Sequence, residues 1–258
     1  MTAAVRTWLR CPRPLRWPAL RLVCFPHAGG NAAFYRPWAS QVPDDVEVYG
    51  VQYPGRMDRT GEPFAADLPT LAEGAAAAIR ALPADAPVVL FGHSLGASVA
   101  YEAARRLDGP GSTLRALVVS GRPAPDRLRA TSVHLADDDT LWAETGRLGG
   151  TDPEALQHEG VRAIALPVLR ADYRIAETWR PRPPVPLRVP VLACVGADDP
   201  EVTEDEAGAW ARRTRGEFTL HTFPGGHFYL LPRRHQLIET ILRATHRSPV
   251  PTWSAAGP

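Results

Sequence analysis

Six short strand-like runs, most of them near-continuous in apolar residues and most followed by a segment with helical spacing, constrain the fold of this chain more than any other feature. They are LRLVCFPH (20–27), VEVYGVQYP (46–54), PVVLFGHS (87–94), LRALVVSG (114–121), VPVLACVGA (189–197) and FTLHTFPG (218–225). A strand wetted on one face alternates apolar with polar residues, whereas a parallel strand covered on both faces reads as continuous. Segments with helical spacing at about 31–41, 68–82, 95–107, 204–214 and 232–246 supply the covering layers. The pattern predicts an α/β fold with a mostly parallel central sheet flanked by helices and joined by right-handed crossovers.

One interval breaks the alternation. Nearly seventy residues separate Ser120 from Val189 without a strand-like run, yet DDDTLWAETGRLGG and EGVRAIALPVLRADYRIAETW both carry helical periodicity. A structureless loop of that length is rare in a compact domain, so a helical lid insertion is expected at 123–183. The core would then comprise 1–122 and 184–247, with a flexible Pro/Ser-rich tail at 248–258. An insertion placed after a central strand lies over the carboxyl edge of the sheet, where open α/β sheets bind ligands. The apolar face of VRAIALPVL would form a wall there, Leu166 and Leu169 included; a plain surface decoration is the alternative.

Composition excludes several classes. A net charge of +1 offers no broad basic surface for nucleic acid and no polybasic membrane anchor. All 29 basic residues are arginine, as a GC-rich coding bias alone would produce. Cys11, Cys24 and Cys194 have no metal-type spacing, and a reducing, cytoplasmic compartment is expected. No signal peptide and no apolar run of spanning length is evident, so no membrane association is expected.

The chemistry concentrates at the ends of the runs. Gly92-His93-Ser94-Leu95-Gly96 stands where a strand hands over to a helix, the context required for a nucleophile elbow. A serine hydroxyl needs a base to take its proton and a carboxylate to orient that base. In the α/β-hydrolase layout these follow in the order Ser, Asp or Glu, His. ADDP places Asp198 and Asp199 at the end of the fifth run, and PGGH places His227 at the end of the sixth. Asp199 closes a G-x-x-D turn, with Asp198 as the alternative, and His93 reads as the interchangeable elbow position. Two amides must meet the developing oxyanion. Leu95 follows the nucleophile at a helix start, and Ala28 lies in CFPHAGG after the first run.

Taken together, RLVCFPHAGGNAAFYRPWA, VYGVQYPGRMDR, LFGHSLGASVAYE, VVSGRPAP, ADYRIAETW and FPGGHFYL resemble the stand-alone type II thioesterases of polyketide and nonribosomal peptide synthesis, members of the α/β-hydrolase superfamily. The resemblance extends from about Leu22 to Leu231. It implies Ser94 as nucleophile, Asp199 as orienting acid, His227 as base, and Ala28 and Leu95 as oxyanion amides, with no cofactor and no metal. It also implies hydrolysis of stalled or aberrant acyl groups from the phosphopantetheine arm of acyl or peptidyl carrier protein domains. A monomer is expected. Arg56, Arg59, Arg122 and Arg127 could contact such a carrier or simply be solvated. An acyltransferase or chain-releasing enzyme with the same triad, and a non-catalytic carrier-binding protein, are the alternatives.

Overall fold

The computed structural model describes residues 2–150, 153–181 and 185–246. Its centre is a seven-stranded sheet. After a short helix α1 (Ala3–Trp8) come β1 (Leu9–Arg10), β2 (Leu20–Phe25), β3 (Val46–Val51), helix α2 (Leu68–Arg80), β4 (Val88–His93), helix α3 (Leu95–Leu107) and β5 (Leu114–Ser120). Helices α4 (Asp138–Leu148), α5 (Pro153–Leu156) and α6 (Glu159–Thr178) separate β5 from β6 (Val191–Gly196). Helix α7 (Glu204–Gly208), β7 (Phe218–Phe223) and α8 (Arg234–His246) complete the order. The strands lie as β1-β3-β2-β4-β5-β6-β7, with β1 antiparallel to β3 and every other neighbour parallel. This is the α/β-hydrolase arrangement.

The continuous apolar runs have a direct cause. Successive side chains of a strand point to opposite faces, and both faces are covered. Val23, Phe25, Leu90, Leu117, Val119, Val191, Ala193 and Val195 enter one core with α2 and α3. Leu22, Cys24, Val89, Phe91, Val118, Leu192 and Cys194 enter the other with Tyr35, Trp38 and α8. Cys24 and Cys194 are buried, unpaired thiols within that second core. Each run continues past its strand by one to three residues because its last positions turn out of the sheet as loops. Those loops carry the site.

Some expectations need correction. The segment expected as a helix at 31–41 is a 3₁₀ stretch, Ala32–Ser40, capped by the Asn31 side chain and containing Pro37, which has no N–H to donate to an α-helical ladder. The segment at 204–214 divides into α7, with a Thr203–Glu206 capping box, and a 3₁₀ turn at Ala209–Arg213. The pair α1 and β1 carries too few residues to show a period. It is held tertiarily: Trp8 packs against Gly74 and under the Arg59 guanidinium, whose carbon lies 4.5 Å from the ring centroid. Among the described residues no helix is long and apolar enough to cross a membrane. The expected tail at 248–258 and the boundary near 183 lie outside the described residues.

Candidate active site

The turn after β4 is tight because both glycines admit backbone where a side chain could not go. A Cβ on Gly92 would stand 2.2 Å from the Gly96 carbonyl oxygen, and one on Gly96 would stand 2.1 Å from that of Phe25. Between them Ser94 adopts φ 55°, ψ −120°, a conformation that non-glycine residues rarely take. Such strain costs about 1–3 kcal/mol and persists only where neighbours enforce it. Here the Ser94 N–H donates to the Ser120 carbonyl (2.8 Å) at the end of β5. Leu95 begins α3, so its amide has no intrahelical acceptor and sits at the positive end of the helix.

The two acids after β6 diverge. Asp198 is exposed, and its backbone N–H donates to the Gly225 carbonyl (2.9 Å), which ties the β6 and β7 loops together. Asp199 turns inward and is buried with His227. Its carboxylate accepts from His227 Nδ1 at 2.9 and 3.0 Å and from the Glu201 N–H at 2.9 Å. A carboxylate only accepts, so the proton sits on Nδ1 and Nε2 is the basic nitrogen. His27, Ala28, Ser94, Leu95 and His227 line one cavity of about 570 Å³. Its other wall comes from α4 and α6 (Trp142, Leu148, Ala165, Leu169, Tyr173) together with Trp179 and Phe228. All five residues singled out from the sequence thus meet at one place. Leu166 does not line it; with Leu141 and Leu169 it forms a small core between the inserted helices.

Ala28 lies in a turn closed by the Gly30 N–H donating to the His27 carbonyl (2.9 Å). The neighbouring His27 ring is wedged edge-on between Phe34 and Phe228, with centroids 4.7 and 4.8 Å away. Beneath the elbow, His93 is fully buried, 4.8 Å from the His227 ring. Its Nδ1 meets Ser120 Oγ (3.0 Å), which meets the Tyr229 hydroxyl (2.7 Å). The elbow position that reads as interchangeable is therefore part of the floor beneath the base. Burial, aided by the nearby His227, lowers the His27 pKa to about 3 and pushes that of His93 well below its ordinary 6.5.

Both rings remain neutral in the folded protein while the unfolded chain takes up protons below about 6.5. Their contribution to stability is complete above that pH and is lost as pH falls toward the folded values. Each ring adds roughly 1.4 kcal/mol per pH unit to the acid slope of unfolding free energy. We expect His93→Asn, which keeps a partner for Ser120, to have a slope shallower by that amount in urea melts between about pH 6 and about pH 4.5. Parallel slopes would show that His93 titrates normally.

The arginines resolve differently from a surface reading. Arg56 and Arg59 are both buried, and only Arg127 is exposed. Arg122 lies in the cavity wall, donating to Ser98 Oγ (3.1 Å) and the Ala176 carbonyl (3.4 Å). Burial lowers its pKa to about 10, against the pull of Glu201 and Glu177, so it stays charged near neutrality. Three residues of the site escaped the sequence reading: His27, His93 and Asp172 of α6. Only Asp172 left a signal, a carboxylate in the row Leu166, Leu169, Asp172, Ile175 on the buried face of an amphipathic helix. Among the described residues no cluster of three or more His, Cys, Asp or Glu could hold a metal ion.

The model of the thioesterase domain family matches residues 20–245. The chain is 44% identical over 240 residues to a probable cadicidin biosynthesis thioesterase of Streptomyces griseus, covering 93% of this chain and 66% of that protein. It is 42% identical over 235 residues to thioesterase PikA5 of Streptomyces venezuelae, covering 91% and 84%. Among solved structures, the type II thioesterase BorB from the borrelidin biosynthetic cluster is 47% identical with a TM-score of 0.85, covering 92% of this chain and 97% of that one.

Proposed function

Since the chain belongs to the thioesterase family, we propose that it removes stalled or aberrant acyl groups from the phosphopantetheine arms of acyl or peptidyl carrier proteins in a polyketide or nonribosomal peptide pathway. It is a serine hydrolase of the stand-alone, type II thioesterase kind, a reading supported by its likeness to the type II thioesterase BorB. The observation that carries the reading is the buried Asp199–His227 pair facing, across one cavity, a serine held in a strained elbow.

In this reading His227 Nε2 takes the Ser94 proton as Oγ attacks the thioester carbonyl. The Ala28 and Leu95 amides meet the oxyanion, and His227 then protonates the departing thiolate. Water, activated by the same imidazole, releases the acid from acyl-Ser94. Asp199 holds the ring in one tautomer and stabilises its charged form throughout. No cofactor enters this sequence, and every group in it comes from one chain, so a monomer suffices. The helices of residues 123–183 act as a lid whose inner face forms the acyl wall. The decisive assay incubates the protein with acyl-carrier proteins of varied chain length, with and without alcohol or amine acceptors. Free acid and regenerated carrier thiol are expected; acceptor esters or amides would instead mark a transferase.

The wall makes its own prediction. Ala165 lines the cavity from α6. Ala165→Phe adds a ring to that space and should cut kcat/KM for long acyl thioesters at least tenfold, against about twofold for acetyl. That corresponds to about 1 kcal/mol of discrimination, within the reach of a packed pocket. An unchanged chain-length profile would place the acyl chain elsewhere.

A further inference from the structure

Asp172 has no exposed surface, yet it projects from α6 of the inserted segment into the core. Its Oδ2 accepts from the Gly29 N–H (2.8 Å) and from Arg56 Nη1 (2.6 Å), and its Oδ1 accepts from Arg56 Nη2 (2.7 Å). Arg56 Nη1 also donates to the Gly30 carbonyl (3.1 Å). The Arg56 carbonyl in turn accepts from Gln52 Nε2 (3.2 Å), and Gln52 Oε1 accepts from the Ala32 N–H (3.2 Å). The Asp172 carboxylate keeps the buried guanidinium charged, its pKa above the ordinary value despite burial.

This network holds successive peptide planes of one loop. The peptide that carries the Ala28 N–H is fixed through its own carbonyl, His27, by Gly30 N–H. The next peptide is fixed by Asp172, and the Gly30 carbonyl by Arg56. Gly29 at φ 78° completes the turn, with Leu169 of α6 packed against it. A buried ion pair contributes little net stability compared with apolar residues of the same shape, so stability alone does not account for it. What it supplies is direction, because a bidentate arginine–carboxylate pair fixes both partners in plane and distance.

We infer that Asp172 and Arg56 are positioning residues that aim the oxyanion amide of Ala28, and that they couple the helix forming the acyl wall to the oxyanion loop. The inference rests on the thioesterase reading for the identity of that amide. The part of α6 around Asp172 is then a fixed anchor of the insertion, and a displacement of α6 there disarms the oxyanion site.

The test compares a transition-state mimic with a ground-state mimic. An alkyl trifluoromethyl ketone forms a tetrahedral oxyanion on Ser94, whereas the matching methyl ketone only occupies the cavity. Asp172→Asn should weaken trifluoromethyl ketone inhibition and lower kcat on a small acyl thioester by about 100-fold each, the scale of one lost or misplaced oxyanion donor. KM and methyl ketone affinity should stay within about threefold. Arg56→Lys, which keeps the charge but loses the fork, should show an intermediate loss in the same ratio and serves if Asp172→Asn does not fold. End-point phosphonate labelling measures the active fraction, against which every rate is normalised. Equal weakening of both ketones, or normalised kcat at the wild-type level, would overturn the inference. Wild-type protein that binds the trifluoromethyl ketone tightly but leaves acyl-carrier proteins intact would overturn the proposed substrate instead, without touching the ketone comparison.

Discussion

Ser94→Ala and His227→Ala should each lower kcat for acyl-thioester hydrolysis by a factor on the order of 10⁵ to 10⁶, and the double variant should be scarcely worse than either. The reason is that the two side chains perform one event. Without the imidazole the serine keeps its proton, and without the serine the imidazole has no nucleophile to activate. The residual rate belongs to the oxyanion amides and to binding, which neither substitution removes. Single-turnover measurements on all three variants check this. Losses that multiply would mean that the residues act independently.

Asp199→Asn should lower kcat by a factor on the order of 10³ to 10⁴ while Asp198→Asn stays within about threefold of wild type. Asp199 is buried against Nδ1 of His227, and its amide counterpart would favour the tautomer with the proton on Nε2, where it cannot act as a base. Asp198 faces solvent, and its structural contact is made through its backbone N–H, which the substitution keeps. Folding should survive in both, since the uncharged amide still bonds the Glu201 N–H. Measured kcat values with matched melting temperatures decide the matter; a mild Asp199→Asn beside a damaging Asp198→Asn would reverse the assignment.

The features of the fold and site that can be read from the sequence are those that rest on local rules. Six runs mark six strands, five of them because burial on both faces removes polar residues; the sixth, the edge strand β7, is only partly buried and keeps Thr219, His221 and Thr222. The elbow is legible because its two glycines and serine fall within five residues, even though only Gly92 answers to backbone that close, Gly96 making room for the Phe25 carbonyl of β2. Long-range packing left weaker marks. His93 reads as an interchangeable elbow position because its partner Ser120 ends β5, and the Tyr229 hydroxyl behind Ser120 comes from the segment after β7. Arg56 looked like a surface residue because its partner, Asp172, lies 116 positions away in the inserted segment. The strand pair of Leu9–Arg10 with β3 was invisible, since two residues carry no period. The segment with helical spacing at 31–41 shows a similar limit: it contains Pro37, which has no N–H for an α-helical ladder, and its residues Ala32–Ser40 are 3₁₀.

The central claim is that acyl groups leave a carrier thioester through Ser94. Intact-protein mass spectrometry tests it most directly, following the protein and an acyl-carrier protein together during turnover. The carrier should lose its acyl mass and return to the free-thiol form. A transient acyl adduct should appear on this protein, map by fragmentation to Ser94, and vanish in Ser94→Ala together with deacylation. Carrier deacylation that proceeds unchanged in Ser94→Ala, or an adduct on any other residue, would contradict it.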